Sequence, residues 1–169
     1  MKNTALITGA AGGIGKEFAK IHASKGGDIV AVDLNAEGLE SAKVEIEVGY
    51  GVKVYNIVKN LTDLNAPQEI YDELKAQGIE IDYLINNAGF GGVGKFHQRS
   101  WAQDLAMIQV DVIALTALTK LFLPDFVMRD EGRILNVSST VSLLPGPGQA
   151  VYFASKAFVT SLTRSIYGE

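Results

Sequence analysis

The chain has 169 residues, 47% hydrophobic and 20% charged, the balance of a globular domain able to bury a core. Its 19 acidic and 15 basic residues give a formal charge of −4 without blocks of either sign, which excludes the basic patch of a nucleic-acid surface. The lack of cysteine excludes disulfides, thiolate catalysis and cysteine-ligated metals, and fits a reducing cytoplasm.

Short apolar runs alternate with longer helical patterns. The N-terminus, MKNTALITGAAGG, enters a strand at 4–8 without the long apolar region of a signal peptide. Further strands are expected at 28–33, 52–58, 81–87 and 133–139, several of them continuously apolar, as strands covered on both faces should be. Helices are expected at about 14–25, 36–48, 66–77 and 101–128, with a last one from about 151. In the fourth, Leu105, Ile108, Val112, Leu115 and Phe122 share one face, Ser100 and Gln103 make a capping-box pattern, and Pro124 should end or bend the helix. Asp111 and Lys120 interrupt its apolar run, which argues against a membrane span. The alternation predicts one α/β domain over 1–169, a doubly wound parallel sheet of Rossmann-like, three-layer α/β/α form.

The first strand runs into LITGAAGGIGKEFAK, where Gly9, Gly13 and Gly15 are spaced G-x-x-x-G-x-G. Such glycines allow a tight turn and close approach of backbone to a pyrophosphate, which the following helix N-terminus attracts. Alone, the motif is equally compatible with an ordinary glycine-rich turn. Asp33, at the end of the second strand, stands where a carboxylate can accept from ribose hydroxyls, or it can cap the next helix. Facing a 2′-phosphate at about 4 Å, it would cost about 4 kcal/mol at an intermediate dielectric. No arginine follows it, only Leu34, Asn35 and Ala36, so NAD is expected rather than NADP.

Tyr152 and Lys156 lie four residues apart, on one face of a helix. By itself this pattern is as ordinary as any solvated helix face. Ser138 and Ser139 at the end of the fifth strand, and INNAGFGGVG at the end of the fourth, converge on the same sheet edge, where open α/β sheets bind ligands.

The segments TGAAGGIG (8–15), NNAG (86–89), NVSS (136–139) and YFASK (152–156) together resemble the classical short-chain dehydrogenases/reductases, in the family's order and spacing. The resemblance implies reversible hydride transfer between a nicotinamide and a carbonyl/alcohol pair. In it, Tyr152 would be the general acid/base, Ser139 would polarise the carbonyl, and Lys156 would favour the phenolate and hold the ribose. Ala11 and Ile14 of the glycine loop, with Asn87, Ala88 and Gly89, would line the cofactor, and Asn60 and Leu61 would border the adenine.

Three features depart from the family pattern. Asp111 stands where an asparagine of a proton relay is usual; pairing with Lys156 would slow the chemistry or shift it alkaline. Asn60 replaces a frequent aspartate and could still accept from the adenine amino group. Members usually continue for about two strands past the tyrosine–lysine helix, so the fifth strand is expected to be an open edge. A homodimer or homotetramer through the 101–128 and 151–167 helices is expected to compensate. Two other readings remain open: a non-catalytic NAD(P)-binding protein, and an inactive truncated reductase. His22 and His97 suggest no metal site, and Trp101 reads as a packing residue.

Overall fold

The structure, a computed structural model, describes residues 3–169. Five strands, β1 (Thr4–Thr8), β2 (Asp28–Asp33), β3 (Val54–Val58), β4 (Tyr83–Asn86) and β5 (Arg133–Asn136), form one sheet in the order β3-β2-β1-β4-β5. Every pairing is parallel. The strands are therefore joined by helical crossovers: α1 (Gly13–Ala23), α2 (Ala36–Tyr50), α3 (Ala66–Ala76), α4 (Trp101–Ile108) and α5 (Leu115–Arg129), with α6 (Ala150–Tyr167) last.

Alternation along the central strands builds two cores. Leu6, Val30, Val32 and Leu84 point to the face covered by α3 and α5, where Ile70, Leu74, Leu118 and Phe122 meet them. Ala5, Ile7, Ile29, Ala31 and Ile85 point the other way, toward Ala19 and Ala23 of α1 and Leu39 and Ile46 of α2. This is the doubly wound α/β fold expected from the sequence. Strand order reverses between β1 and β4, which opens a crevice beyond their C-terminal ends. β5 lies at the sheet edge, and its residues are more exposed than those of the inner strands.

The fourth predicted helix differs from expectation. It is split by a π-helical turn, Gln109–Ala114, into α4 and α5. The extra residue in the turn rotates the faces: Leu115 and Phe122 are buried as expected, joined by Val110, Ala114, Leu118 and Phe126, whereas Leu105, Ile108 and Val112 are only half-buried. Pro124 neither ends nor interrupts α5, which runs on to Arg129. It sits on the solvent side with Lys120, whose orphaned carbonyl water can satisfy. Ser100 does cap α4, its Oγ accepting the Gln103 N–H at 3.3 Å. Trp101 is 67% exposed, not packed, because it projects from the first turn of α4. The predicted strands at 52–58, 81–87 and 133–139 are each shorter than expected.

Candidate active site

The glycine-rich loop links β1 to α1. Gly9 adopts φ 69°, a left-handed conformation open to glycine, and donates its N–H to the Val32 carbonyl at 2.8 Å. Gly15 lies under this turn, where an added Cβ would strike the Gly9 carbonyl. The α1 N-terminus has no side-chain cap and no acidic residue in its first turn, so its N–H groups and dipole face the crevice unopposed. Gly15→Ala is expected to cost about 1–3 kcal/mol through overpacking. A lower melting temperature together with weaker NADH binding would be the readout; wild-type values for both would contradict this packing role.

Asp33, at the end of β2, accepts from the Ala11 N–H at 3.1 Å and from the Asn35 N–H at 3.0 Å. The cap of α2 is Asn35, whose Oδ1 accepts from Gly38, so the helix-cap alternative for Asp33 falls. A carboxylate offers about four acceptor positions, which leaves Asp33 capacity for ribose hydroxyls.

Asn87 lines the crevice, as expected, and its side-chain amide is tied to the end of β1. Its Nδ2 donates to the Thr8 carbonyl at 2.9 Å, while Thr8 Oγ1 accepts from the N–H groups of Asn87 and Ala88 at 3.0 and 2.9 Å. Thr8, buried at the tip of β1, thus locks the ends of β1 and β4 together. Sequence reasoning missed it; the only available signal was a hydroxyl at the end of a buried strand.

Tyr152 and Lys156 occupy the first two turns of α6. Lys156 Nζ lies 5.9 Å from the centre of the tyrosine ring and donates to the Val137 carbonyl at 3.2 Å. Its other neighbour is Asp111 Oδ2, 3.6 Å away. Asp111 is wholly buried on the π-turn, where Oδ1 accepts the Phe90 N–H at 3.1 Å and Oδ2 faces the Ser155 hydroxyl at 3.4 Å. Burial raises its carboxyl above the ordinary carboxylate range, against the opposing pull of Lys156. Gly89 is tight against this pair: a Cβ there would lie 2.9 Å from Asp111 Oδ1 and 3.0 Å from Lys156 Nζ.

The two serines after β5 have separate tasks. Ser138 donates to the Lys156 carbonyl at 3.0 Å and sits 2.6 Å from Thr160 Oγ1, so it anchors α6. Ser139 begins the short 3₁₀ turn Thr140–Leu143; its Oγ accepts the Val141 N–H at 3.4 Å and keeps its own proton to donate.

One cavity of about 630 Å³ is lined by Gly9, Ala11, Ile14, Asp33, Asn87, Ala88, Gly89, Ser139, Tyr152 and Lys156, joining the glycine loop to the tyrosine–lysine pair. Gly13, exposed, and Gly15, buried beneath Gly9, do not line it, and Asp111 lies behind Lys156. Asn60 and Leu61 line an adjoining cavity of about 450 Å³ that shares Gly9, Asp33, Ala88 and Gly89. The Asn60 carbonyl expected to meet an adenine amino group is already taken, by the N–H and hydroxyl of Thr62 at 3.1 and 2.9 Å. His22 lies outside the site, bonded to the Asn3 carbonyl and edge-on to Tyr83.

Residues 3–169 match the family described as short chain dehydrogenase. The very-long-chain 3-oxoacyl-CoA reductase of Anas platyrhynchos is 33% identical, over 98% of this chain and 54% of its own length. Among solved structures, a short-chain dehydrogenase from Sphingobium yanoikuyae in complex with NADPH superposes with a TM-score of 0.91 at 33% identity, over 97% of this chain and 64% of that one. An NAD+-bound xylitol dehydrogenase gives 0.89 at 27% identity, over 97% and 63%. The chain therefore spans between about half and two thirds of the length of these proteins. The glycine loop and the tyrosine–lysine helix, meeting at the switch point of a parallel sheet, agree with the sequence match: the chain belongs to the short-chain dehydrogenase family.

Proposed function

We propose that this chain carries the catalytic and coenzyme-binding part of a nicotinamide-dependent oxidoreductase that interconverts a small carbonyl compound and its alcohol. The observation that carries this reading is the single cavity lined by both the glycine loop and Ser139, Tyr152 and Lys156. The residues fit a dinucleotide: the open space beside Gly12 and Gly13, the uncapped start of α1 and the spare acceptors of Asp33 match pyrophosphate and ribose. When bound, the nicotinamide supplies or accepts the hydride. Ser139 donates to the substrate oxygen, Tyr152 gives that oxygen a proton in reduction and takes it back in oxidation, and Lys156 holds the ribose beside the phenol.

Asp33 supports NAD over NADP. The first experiment is a fluorescence titration with NADH and with NADPH, on the wild-type chain and on Asp33→Ser. The wild type is expected to bind NADH more tightly, and the variant to lose that preference by about tenfold, as one like-charge contact partly screened by solvent implies. A wild type that prefers NADPH would overturn the assignment of Asp33.

The buried contact of Asp111 with Lys156 favours a second reading, a dinucleotide-binding protein without turnover, because it partly cancels the ammonium charge beside Tyr152. A screen of ketones and aldehydes with NADH separates the two. The partner of α5 and α6 is proposed to be a second copy, as homodimer or homotetramer. Apolar side chains on these helices, Val127 at 71% and Phe158 at 41% exposure, support it. Gel filtration at micromolar concentration should give a dimer or larger; a monomer would refute it.

A further inference from the structure

β4 is followed by a glycine-rich segment, Phe90–Gly94, that belongs to no helix or strand yet borders the tyrosine: a Cβ at Gly91 would lie 3.4 Å from the Tyr152 ring. Three contacts hold it. The Phe90 N–H reaches Asp111, and the Gly94 N–H donates to the Gly148 carbonyl at 2.8 Å, tying the segment to the turn before α6. The third contact comes from Arg99, whose Nη1 donates to the Val93 carbonyl at 3.2 Å.

Arg99 is itself fixed. Its Nε donates to Asp104 Oδ1 at 2.7 Å, and the two side chains are only 12% and 6% exposed. The aspartate sits in the first turn of α4, where the helix dipole favours a negative charge. Gly92 and Gly94 fold over the arginine: a Cβ at Gly92 would run into the guanidinium, and one at Gly94 would lie 3.0 Å from Arg99 Cγ. A guanidinium can hold a carboxylate and a carbonyl in fixed directions at once, which a lysine ammonium cannot. Such a buried pair adds little net stability after desolvation, so its contribution lies in fixing geometry.

We propose that Arg99 and Asp104 are positioning residues that clamp Phe90–Gly94 against Tyr152 and Gly148, keeping the substrate side of the site preformed. The segment carries Phe90 and Val93, 43% and 79% exposed, on either side of the Gly91 that abuts the Tyr152 ring. Only the kinetic consequence rests on the hydride-transfer reading.

The test compares the wild type with Arg99→Met and with Arg99→Met/Asp104→Leu, because the single change strands a buried carboxylate and can destabilise the fold itself. In the double variant, melting should stay cooperative and NADH affinity should stay within about twofold. The Gly94 amide should exchange at least about tenfold faster by NMR, while the Phe90 amide, held by Asp111, and the β1 amides keep their rates. With a carbonyl substrate, KM should rise about tenfold with kcat within about threefold, the signature of lost preorganisation. Unchanged Gly94 exchange in a folded double variant overturns the clamp. Faster exchange with unchanged KM overturns its role toward substrate. Absence of turnover in the wild type, with the exchange difference intact, overturns the hydride-transfer reading and upholds the clamp.

Discussion

Tyr152→Phe is expected to lower carbonyl turnover by roughly 10²–10⁴-fold, the range contributed by a positioned general acid or base. The change removes one hydroxyl and keeps the ring that packs beside Gly91, so fold and NADH affinity should be unaffected. Lys156 keeps its bond to the Val137 carbonyl and its contact with Asp111 in the variant. Steady-state rates with a saturating ketone, alongside a melting curve and an NADH titration, would test this. Turnover within threefold of wild type would remove Tyr152 from the chemistry. Parallel loss of NADH binding would assign it to the coenzyme.

Asp111→Asn should change both stability and rate, and the sign of each follows from burial. The Asp111 carboxyl is raised because its ionised form is cut off from water. A group raised in the folded state contributes stability that is fully present below its unfolded value, near 3.9 for aspartate, and is lost as pH rises through the folded value. The margin of wild type over the asparagine variant should therefore be widest in acid, shrinking by about 1.4 kcal/mol for each unit by which the carboxyl is raised. Urea midpoints of both proteins between about pH 4 and pH 8 would reveal it, and a constant margin would refute it. Asparagine still offers an acceptor to the Phe90 N–H but removes the negative charge near Lys156. The uncancelled ammonium should then move the alkaline-favoured limb of the pH–rate profile to lower pH. An identical profile would mean that the 3.6 Å contact does not reach the chemistry.

The sequence by itself determined the architecture and most of the residues that line the candidate site. Local periodicity and punctuation are enough to announce β1, β2 and the helices between strands, because each buried strand reads as a short apolar run. The glycine loop, Asp33, Ser139, Tyr152 and Lys156 were legible because each stands at a strand end or on a helix face whose direction follows from local geometry.

What the tertiary structure decided depends on groups distant in the chain. Asp111 lies in a π-turn with its carboxylate buried against the Phe90 N–H and Lys156, and no i, i+4 pattern encodes those partners. Thr8 became the lock between β1 and β4 only when Asn87 arrived beside it, and Asn60 gave its carbonyl to Thr62 instead of the open cavity. The face expected to turn inward holds in α5, where Leu115 and Phe122 are buried, and fails before it, where Leu105, Ile108 and Val112 are half-buried. Periodicity reports which residues share a side, but the extra residue of the π-turn changes which side turns inward on either side of it.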